Sequence, residues 1–403
     1  MAQASRAVQP AQIHPAFVIL ALSMGAFAIG TAEFAAMSLL PFFANDLRIS
    51  EPMAGHAISA YALGVVVGAP VIAVLGARLP RRTLLIGLMA LFAIGNGLSA
   101  VSPDYATMLL FRFLSGLPHG AYFGVAALVA ASLVPSDRRA LAVARVMTGL
   151  TVATVIGVPV ANWTGQAIGW RWGFGIVALL AMITMTLVAL YAPRDAGDPG
   201  ASPMRELGAL REPQVLLTLL TGAIGFGGLF AVYTYVASTM ISVTHVSEHW
   251  APMVLAIFGI GLTIGNLVAA WAADRAQSRT AVIVLLWSTA SLALFPLMAG
   301  NIWSLSLVIF LIGCGGGLGS VLQTRLMDVA GDAQTLAAAA HHAAFNLANA
   351  LGPWLGGMAI AAGYGFTSTG WIGAALALAG LAIFLFTLSQ RQRAMRLAPI
   401  PCE

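Results

Sequence analysis

Apolar residues run along the chain in stretches of roughly twenty, and short polar or charged joints separate the stretches. A stretch of this length crosses a bilayer as an α-helix, whereas the strands of a transmembrane β-barrel would show alternating segments of about ten residues. The pattern therefore predicts an all-α polytopic membrane protein. Its twelve predicted spans cover residues 16–40, 53–77, 83–101, 106–134, 140–163, 170–192, 214–241, 250–273, 280–299, 303–326, 335–361 and 367–389.

The longest joint divides these spans into two sets of six. It covers residues 193–213 and is rich in Pro, Gly and charged residues, which is typical of a linker. The two sets show a weak repeat at an offset of 194 residues, which places Pro159 on Pro353 and Arg81 on Arg275. Parallel repeats of this kind occur in secondary transporters, with the substrate site near the midplane between them. We predict an N-terminal segment at residues 1–15, six-helix bundles at 16–192 and 214–389, the linker between them at 193–213, and a tail at 390–403.

The composition agrees with a membrane-embedded chain. Hydrophobic residues make up 60% and charged residues 8%, with a mean hydropathy of +0.91, whereas soluble domains carry about 25% charged residues. All 19 basic residues are arginines, which excludes a Walker A loop and a Schiff-base lysine. The adjacent His341 and His342 do not face one another on a helix, and no Cys, Asp or Glu cluster accompanies them. We therefore expect no metal, cofactor or nucleic-acid partner.

The arginines predict how the chain is oriented. With the N-terminus inside, sixteen of them fall on inner joints and tails, and only Arg48 and Arg171 fall on outer joints. This asymmetry predicts that both termini lie in the cytoplasm and that the protein is held in the cell inner (plasma) membrane. The first apolar run is longer than that of a signal peptide, so we expect it to be an uncleaved helix. The sixteen are Arg6, Arg78, Arg81, Arg82, Arg138, Arg139, Arg145, Arg194, Arg205, Arg211, Arg275, Arg279, Arg325, Arg391, Arg393 and Arg396.

The joints between spans 2 and 3 and between spans 8 and 9 resemble those of the major facilitator superfamily, and the resemblance covers all twelve spans. The first joint, GARLPRR, is similar to the superfamily's cytoplasmic G-x-x-x-D-R motif, with Pro80 where that motif has Asp. The second joint keeps the acid. The resemblance implies two six-helix halves around a central cavity and transport by alternating access. The residues that it marks for control of conformation are Gly76, Arg78, Arg81, Arg82, Asp274 and Arg275.

Spans 4 and 5 extend the resemblance. Span 4 carries RFLSGLPHGA, which is similar to a motif linked to proton coupling and contains Arg112. Span 5 carries GLTVATVIGVPVANWTG, which resembles the Gly/Pro-rich motif of antiporters. With GTAEF and GWRW, these motifs resemble the arabinose-efflux and chloramphenicol-resistance branch of drug–proton antiporters. The residues expected to shape spans 5 and 11 are Gly149, Gly157, Pro159, Gly352 and Pro353.

Glu33 is the only charged residue between Phe17 and Leu40. A carboxylate within a membrane span is costly, therefore rare, and usually functional. Glu33 lies about eight residues, or ~12 Å, below the outer end of span 1, and Arg112 lies ~9 Å below the outer end of span 4, at about 1.5 Å per residue. Because both spans line the cavity in the superfamily that the chain resembles, we expect Arg112 to be the partner of Glu33. His119 follows Arg112 by two helical turns on the same face.

Proton coupling is the predicted task of Glu33, Arg112 and His119. The second half carries neither charge at the matching positions, Gly227 and Ser306, which indicates a task confined to the first half. Burial favours a neutral Glu and a nearby Arg favours a charged one, so Glu33 can gain or lose a proton as the cavity changes side. The alternatives are a static buried pair, or a protonated Glu33 that bonds across helices; for His119, the alternative is a packed polar residue.

Polar and aromatic side chains on one helical face are candidates for contact with the substrate. Span 11 carries a polar stripe that ends at Pro353, and span 7 carries an aromatic face. The alternatives are hydrogen bonds between helices and ordinary packing. The predicted substrate-cavity residues are Met37, Tyr122, Phe226, Phe230, Tyr233, His342, Asn346 and Asn349.

The sequence therefore predicts a proton-coupled secondary transporter that works as a monomer and exports a small molecule. The substrate class implied by resemblance is a sugar, a nucleoside or an amphiphilic drug such as chloramphenicol. An importer that uses proton symport is one alternative, since Glu33 would be needed in either direction. A membrane-embedded enzyme would need a cluster of catalytic residues, and the sequence contains none. A receptor or scaffold would be expected to carry a larger soluble part than the short joints of this chain.

Overall fold

The computed structural model describes residues 14–76, 78–135, 138–195, 197, 212–329 and 334–397. Within these ranges the backbone alone is described at 73–74, 140, 334–339 and 391–397. Every regular element in the described ranges is helical. Most of the predicted N-terminal segment and linker, and the end of the tail, lie outside the described residues.

Six long helices form the first half, and a short helix, Leu40–Asp46, follows the first of them. Two pieces of the fifth helix are joined by a π-turn, Ala153–Gly157. Pro159 lies just beyond this turn and has no amide hydrogen to offer the preceding turn, a local cause for the widening of the helix. The six are α1 (Pro15–Ser38), α2 (Glu51–Gly76), α3 (Arg81–Ala100), α4 (Tyr105–Ser132), α5 (Arg139–Val152 and Val158–Ile168) and α6 (Trp170–Tyr191).

The second half repeats this arrangement with more interruptions. One continuous helix, Ala251–Met298, contains both α8 and α9 and is kinked at Ala276, whose φ and ψ are −154° and 62°. The 3₁₀ turn Gly315–Gly317 joins the two parts of α10, and the π-turn Ile360–Tyr364 ends α11. The other helices are α7 (Pro213–Gly225, Gly227–Thr234 and Val236–Ser242), α10 (Ile302–Cys314 and Leu318–Val329), α11 (Gln334–Ala359) and α12 (Ser368–Leu397).

The helices account for the twelve predicted spans. Among the described residues, ten helical segments are long and apolar enough to cross a membrane. One of the ten, Glu248–Met298, contains two predicted spans, and α11 carries another. Each predicted span therefore falls on a helix, which confirms the predicted fold class.

Local capping sets where α4 begins. The Asp104 carboxylate accepts hydrogen bonds from the Thr107 amide at 2.9 Å and from the Thr107 hydroxyl at 3.0 Å. These bonds hold the pKa of Asp104 below its ordinary value, and they satisfy amide groups that the first helical turn leaves unpaired. Because the start of α4 is fixed, the positions of Arg112 and His119 along it are fixed as well.

The two halves meet along pairs of helices. Contacts between halves are formed by α2 with α11, α5 with α8, α4 with α11, and α1 with α7. We call the end of the bundle that holds the α2–α3 turn and the linker the linker side, and the other end the opposite side. Towards the opposite side, the Ser59 hydroxyl donates to the Ala350 carbonyl at 2.8 Å, and Gln166 Nε2 donates to the Glu248 carbonyl at 2.8 Å.

Arg325 corrects one detail of the sequence analysis, which places it in a joint. The residue lies within α10 and is 1% exposed. Its guanidinium donates to Gln214 Oε1 at 3.4 Å and lies 5.1 Å from the centre of the Phe384 ring. The helix runs on to Val329, so Arg325 lies within it and packs against α7 and α12.

Candidate functional site

The buried carboxyl of Glu33 connects the two halves of the molecule. Glu33 lies on α1 and is 8% exposed. Its Oε1 accepts a hydrogen bond of 2.9 Å from Nδ2 of Asn349, which lies on α11. The only charged residue of the first span is thus bonded to a residue of the other half.

The structure corrects the expected pairing of Glu33 with Arg112. In the described part of the chain, no hydrogen bond or ion pair joins the two side chains directly. Arg112 is fully buried, donates to Asn96 Oδ1 at 3.4 Å, and lies 4.3 Å from the centre of the Tyr61 ring. Its charge acts on Glu33 through space. Similar depth in the bundle brings the two residues into one region without bringing their polar atoms together.

Tyr61 links Arg112 to His119. The Tyr61 hydroxyl is hydrogen-bonded to His119 Nδ1 at 2.8 Å, while the ring of Tyr61 lies against the Arg112 guanidinium. His119 is buried and its ring lies 6.5 Å from that of His342 on α11. Neither Tyr61 nor Asn96 is among the residues predicted from the sequence. Asn96 is a polar residue within an apolar span, which is a usable signal, whereas nothing in the local sequence distinguishes Tyr61 from a packing residue.

The polar stripe of α11 faces the first half at two levels. The His342 ring stacks on Phe123 of α4 with centres 4.9 Å apart and planes 4° apart, and Asn349 bonds to Glu33. Between them, Asn346 Nδ2 donates to the His342 carbonyl at 3.0 Å. The Pro353 carbonyl, at the end of the stripe, accepts a hydrogen bond of 2.9 Å from the Tyr235 hydroxyl.

Aromatic side chains from α1, α7 and α8 surround this region. Phe34, next to Glu33, has its ring centre 5.4 Å from that of Tyr233, 6.1 Å from that of Phe230 and 6.3 Å from that of Phe258. Met37, Phe226, Phe230 and Tyr233 belong to the same buried apolar cluster, which spans both halves.

Tyr122 is placed differently from the other predicted cavity residues. Its hydroxyl donates to the Leu22 carbonyl at 2.9 Å, and its ring lies where a side chain at Gly25 would stand. Tyr122 therefore joins α4 to α1 within the first half.

Besides two nitrogens of the Arg112 guanidinium, Nε and Nη2, three buried polar atoms near Glu33 and α11 have no hydrogen-bond partner among the described protein groups. They are the Tyr233 hydroxyl, Asn346 Oδ1 and Asn349 Oδ1. An unpaired polar atom in an apolar interior costs about 1–3 kcal/mol. Such atoms are rare in folded proteins and call for a physical explanation.

The turn between α2 and α3 is held by the end of α6. The Arg81 amide donates to Asp195 Oδ2 at 3.0 Å, and the Arg82 guanidinium donates to the Ala189 carbonyl. Arg78 is exposed, and its carbonyl lies against Gly197. Gly76 lies beside the Leu84 side chain, where a Cβ would be crowded. Asp195 thus places a carboxylate at a turn where Pro80 replaces the expected acid.

The corresponding turn in the second half is arranged differently. Asp274 and Arg275 are both exposed. Arg275 donates to the Trp271 carbonyl at 2.8 Å, and its guanidinium lies 4.0 Å from the centre of the Trp271 ring. The two turns occupy matching positions in the repeat, yet their arginines have different partners.

Glycines allow several helices to approach closely. A Cβ at Gly149 would meet the Ser23 carbonyl of α1, one at Gly157 would meet the Thr31 hydroxyl, and one at Gly352 would meet the Gly227 carbonyl of α7. Gly149 and Gly157 therefore bring α5 against α1, and Gly352 brings α11 against α7.

The amino-acid sequence matches the family model described as Major Facilitator Superfamily over residues 22–251 and 233–398. The chain belongs to the major facilitator superfamily. Its fold resembles the crystal structure of a bacterial homologue of the human lysosomal transporter Spinster in an inward-facing and unoccupied conformation. The TM-score is 0.76 over 94% of this chain and 98% of that chain, at 14% identity, which is a likeness of fold alone.

Relatives within the superfamily are named as transport and resistance proteins. The chain is 42% identical over 380 residues to the inner membrane transport protein YdhP of Escherichia coli strain K12, with 94% of this chain and 97% of the relative covered. It is 34% identical over 340 residues to a chloramphenicol resistance protein of Streptomyces lividans, with 82% and 86% covered. The protein is therefore a multi-pass membrane transporter of small molecules and not an enzyme.

Proposed function

We propose that this transporter exports a small molecule in exchange for protons and that Glu33 carries the proton. The observation that carries the proposal is the position of Glu33. Its carboxyl is buried at the contact between halves and is hydrogen-bonded to Asn349 of the other half. Alternating access moves the two halves against each other, so the surroundings of this carboxyl change whenever the transporter changes state.

Opposing influences make Glu33 suited to gaining and losing a proton. Burial in an apolar interior favours the neutral acid, whereas the Asn349 hydrogen bond and the charge of Arg112 favour the carboxylate. A rearrangement that weakens one influence shifts the balance towards the other form. A carboxylate within a membrane span is costly, and a residue that only packs would not need one. Proton transfer does require an ionisable group, so it accounts for Glu33 better than packing does.

His119 is a second candidate for proton transfer. It is buried on α4, is hydrogen-bonded to Tyr61, and lies close to His342 of the other half. Arg112 and Tyr61 connect His119 to the surroundings of Glu33. We place Glu33 first because it is bonded directly across the contact between halves.

Three observations favour export of a neutral or amphiphilic molecule. The resemblance of α5 to the antiporter motif is accompanied by a π-turn, Ala153–Gly157, at the contact between α5 and α8. One relative is named as a chloramphenicol resistance protein, a name consistent with removal of an amphiphilic drug. Aromatic rings around Phe34 offer apolar surface beside a few polar atoms, and such surface suits a sugar, a nucleoside or a drug of this kind.

The proposed orientation follows the arginine distribution. The linker side would face the cytoplasm together with both termini, and the protein would work as a monomer in the cell inner membrane. Accessibility of single cysteines to a membrane-impermeant maleimide, introduced at Arg78 and at Trp303 in separate variants lacking the native cysteines, tests this orientation. Labelling of the Arg78 position from outside intact cells would contradict it.

Transport into liposomes with an imposed pH gradient tests the function. The purified protein is supplied with radiolabelled chloramphenicol, L-arabinose or uridine, beside Glu33→Gln and a matched His119→Gln variant. We expect the antiporter to accumulate one of these compounds when the lumen is acidic. Glu33→Gln is expected to lose accumulation while retaining exchange of labelled for unlabelled substrate.

Other outcomes would change the proposal. Accumulation only when the external solution is acidic would identify a symporter that imports its substrate. Undiminished gradient-driven accumulation by Glu33→Gln would remove Glu33 as the proton carrier. If His119→Gln alone lost accumulation, the proton site would be assigned to His119.

A further inference from the structure

The nitrogen and the oxygen of the Asn349 amide have different surroundings. Nδ2 donates to Glu33 Oε1 at 2.9 Å, and Oδ1 is buried with no hydrogen-bond partner among the described protein groups. An ionised carboxylate can only accept hydrogen bonds. When Glu33 is ionised, it therefore holds the amide with its N–H towards α1 and its carbonyl oxygen turned away.

Protonation of Glu33 reverses this constraint. A neutral carboxylic acid has an O–H that seeks an acceptor, and the acceptor of Asn349 is its Oδ1. Rotation of the amide brings Oδ1 towards Glu33 and turns the N–H₂ group away. The same side chain thus offers an acceptor to its surroundings when Glu33 is ionised and a donor when Glu33 is protonated.

We propose that this reversal makes the binding of a proton at Glu33 and of a hydrogen-bond-donating substrate mutually exclusive. The inference rests on the proposed proton exchange and adds the chemical class of the substrate. That class is a neutral small molecule with a hydroxyl or N–H donor beside an apolar or aromatic group. Its donor is accepted by Asn349 Oδ1 only while Glu33 is ionised, so substrate binding expels the proton and proton binding expels the substrate.

Asn346 provides an internal contrast. Its Nδ2 donates to the His342 carbonyl, which is an acceptor in every protonation state. The unpartnered Oδ1 of Asn346 is therefore always presented as an acceptor, three residues from Asn349 on the same face of α11. Both Oδ1 atoms can accept a hydrogen bond from a substrate, but only the orientation of the Asn349 amide depends on whether Glu33 is protonated.

The ionisable neighbours of Glu33 lie on four helices. Arg112 on α4 and Tyr61 on α2 interact with Glu33 electrostatically. Tyr233 on α7 contacts the adjacent Phe34, and His342 lies on α11 two turns from Asn349. None of these groups forms the described hydrogen bond to Glu33, which comes from Asn349 alone. The protonation of Glu33 is therefore communicated to the substrate through that amide.

The affinity of the purified protein for small-molecule probes, measured at equilibrium over a series of pH values, tests the inference. The probes are radiolabelled chloramphenicol, which has two hydroxyls and an amide N–H beside an aromatic ring, L-arabinose and uridine, each compared with its O-acetylated form. For wild type we expect affinity for the hydroxyl-bearing probe to fall about tenfold per pH unit once Glu33 is protonated, because one proton competes with one ligand. The O-acetylated forms are expected to bind more weakly, with a shallower dependence on pH.

Two variants separate the proposed role from simple contact with the substrate. Asn349→Leu is expected to bind weakly and to lose most of the pH dependence, because the link to Glu33 is removed. Asn346→Leu is expected to bind weakly while keeping the tenfold slope. Glu33→Gln cannot gain or lose a proton at this position, so its affinity for the hydroxyl-bearing probe is expected not to change with pH. Asn349→Ala replaces Asn349→Leu if the larger residue prevents folding, as judged by size-exclusion chromatography.

The possible failures are distinguishable. A wild-type slope that persists in Asn349→Leu would overturn the inference and leave proton antiport intact. The inference would also be overturned, with proton antiport left intact, if the affinity of wild type for the probes did not change with pH while gradient-driven transport was retained. Failure of all three hydroxyl-bearing probes to bind would overturn the substrate class. Absence of any pH-driven transport would overturn the proposed function itself.

Discussion

At the scale of single residues, Tyr61 organises buried polar groups that the sequence presents separately. Its ring packs against the Arg112 guanidinium at 4.3 Å and its hydroxyl bonds to His119 at 2.8 Å. A buried cation gains from the face of an aromatic ring, and a buried imidazole nitrogen needs a hydrogen-bond partner. One side chain of α2 thus supports two residues of α4.

Two substitutions of Tyr61 separate these contributions. Tyr61→Phe keeps the ring and loses the hydrogen bond, so it should destabilise the protein by about 1 kcal/mol. Tyr61→Leu also loses the ring beneath Arg112 and should cost about 2 kcal/mol more. Unfolding of the purified variants in detergent measures both effects. Equal stability of the two variants would show that the ring contributes nothing to holding Arg112.

Asp46 gives a pH-dependent prediction on the opposite side. Its carboxylate accepts hydrogen bonds from the Arg171 guanidinium and from Trp170 Nε1, and these bonds lower the pKa of Asp46. A lowered pKa means that the stabilisation is present above the ordinary Asp value of about 3.9 and is lost as the pH falls through the lower folded value. The effect is small because both side chains are partly exposed.

The comparison of wild type with Asp46→Asn measures this contribution. The variant should melt at a slightly lower temperature near neutral pH, and the gap should close below about pH 4. Added salt should narrow the gap at neutral pH because it screens the exposed pair. A gap that stays constant through acid pH would assign the effect to packing of the asparagine.

At the scale of helices, small residues decide how closely α1 and α5 pack. The Ser23 hydroxyl donates to the Arg145 carbonyl at 2.7 Å, and a Cβ at Gly149 would collide with the Ser23 carbonyl and crowd Ala26. Backbone groups on both sides leave little room for adjustment. The approach of these helices carries Glu33 on α1 to its place beside the second half.

Gly149→Ala is therefore expected to destabilise the protein by about 1–3 kcal/mol through overpacking. The matched control is Gly124→Ala on α4, since a Cβ there meets nothing within 4 Å. The control should be neutral or stabilising by up to about 1 kcal/mol, because alanine is the better helix former. Thermal unfolding in detergent compares the two, and a similar effect of both changes would contradict the packing account.

At the scale of the whole molecule, the proposed transport cycle requires the halves to separate where they are now in contact. On the opposite side, the Cα of Pro52 on α2 lies 3.5 Å from the position that a Cβ of Gly357 on α11 would take. Disulfides need Cα atoms about 4.4–6.8 Å apart, and this geometry is compatible with one.

A Pro52→Cys/Gly357→Cys variant, with Cys314 and Cys402 replaced by alanine, should form a disulfide between the halves. A protease site placed in the linker makes the bond visible, because the cut halves stay together on a gel until a reductant is added. We expect oxidised protein to lose transport and to regain it after reduction. Full transport by the oxidised form would show that this contact does not open during the cycle.

The sequence by itself determined the twelve spans and the isolated carboxylate of Glu33, while the division into halves at the linker stays a prediction. These features depend on local quantities, namely the length of an apolar run relative to the thickness of a bilayer and the cost of a charge within it. The family resemblance rested on short motifs that are also local. The family and the transporter class are confirmed, while the roles of Glu33, Arg112 and His119 stay predictions.

Only the tertiary structure decided which residue Glu33 meets. Counting residues gives a depth along the membrane normal, but the rotation of each helix about its axis and its lateral neighbours depend on the packing of all twelve helices. Arg112, at similar depth, turns towards Asn96 and Tyr61. Asn349, 316 residues away along the chain, donates the hydrogen bond to Glu33, because the contact of α1 and α11 is formed when the two halves come together.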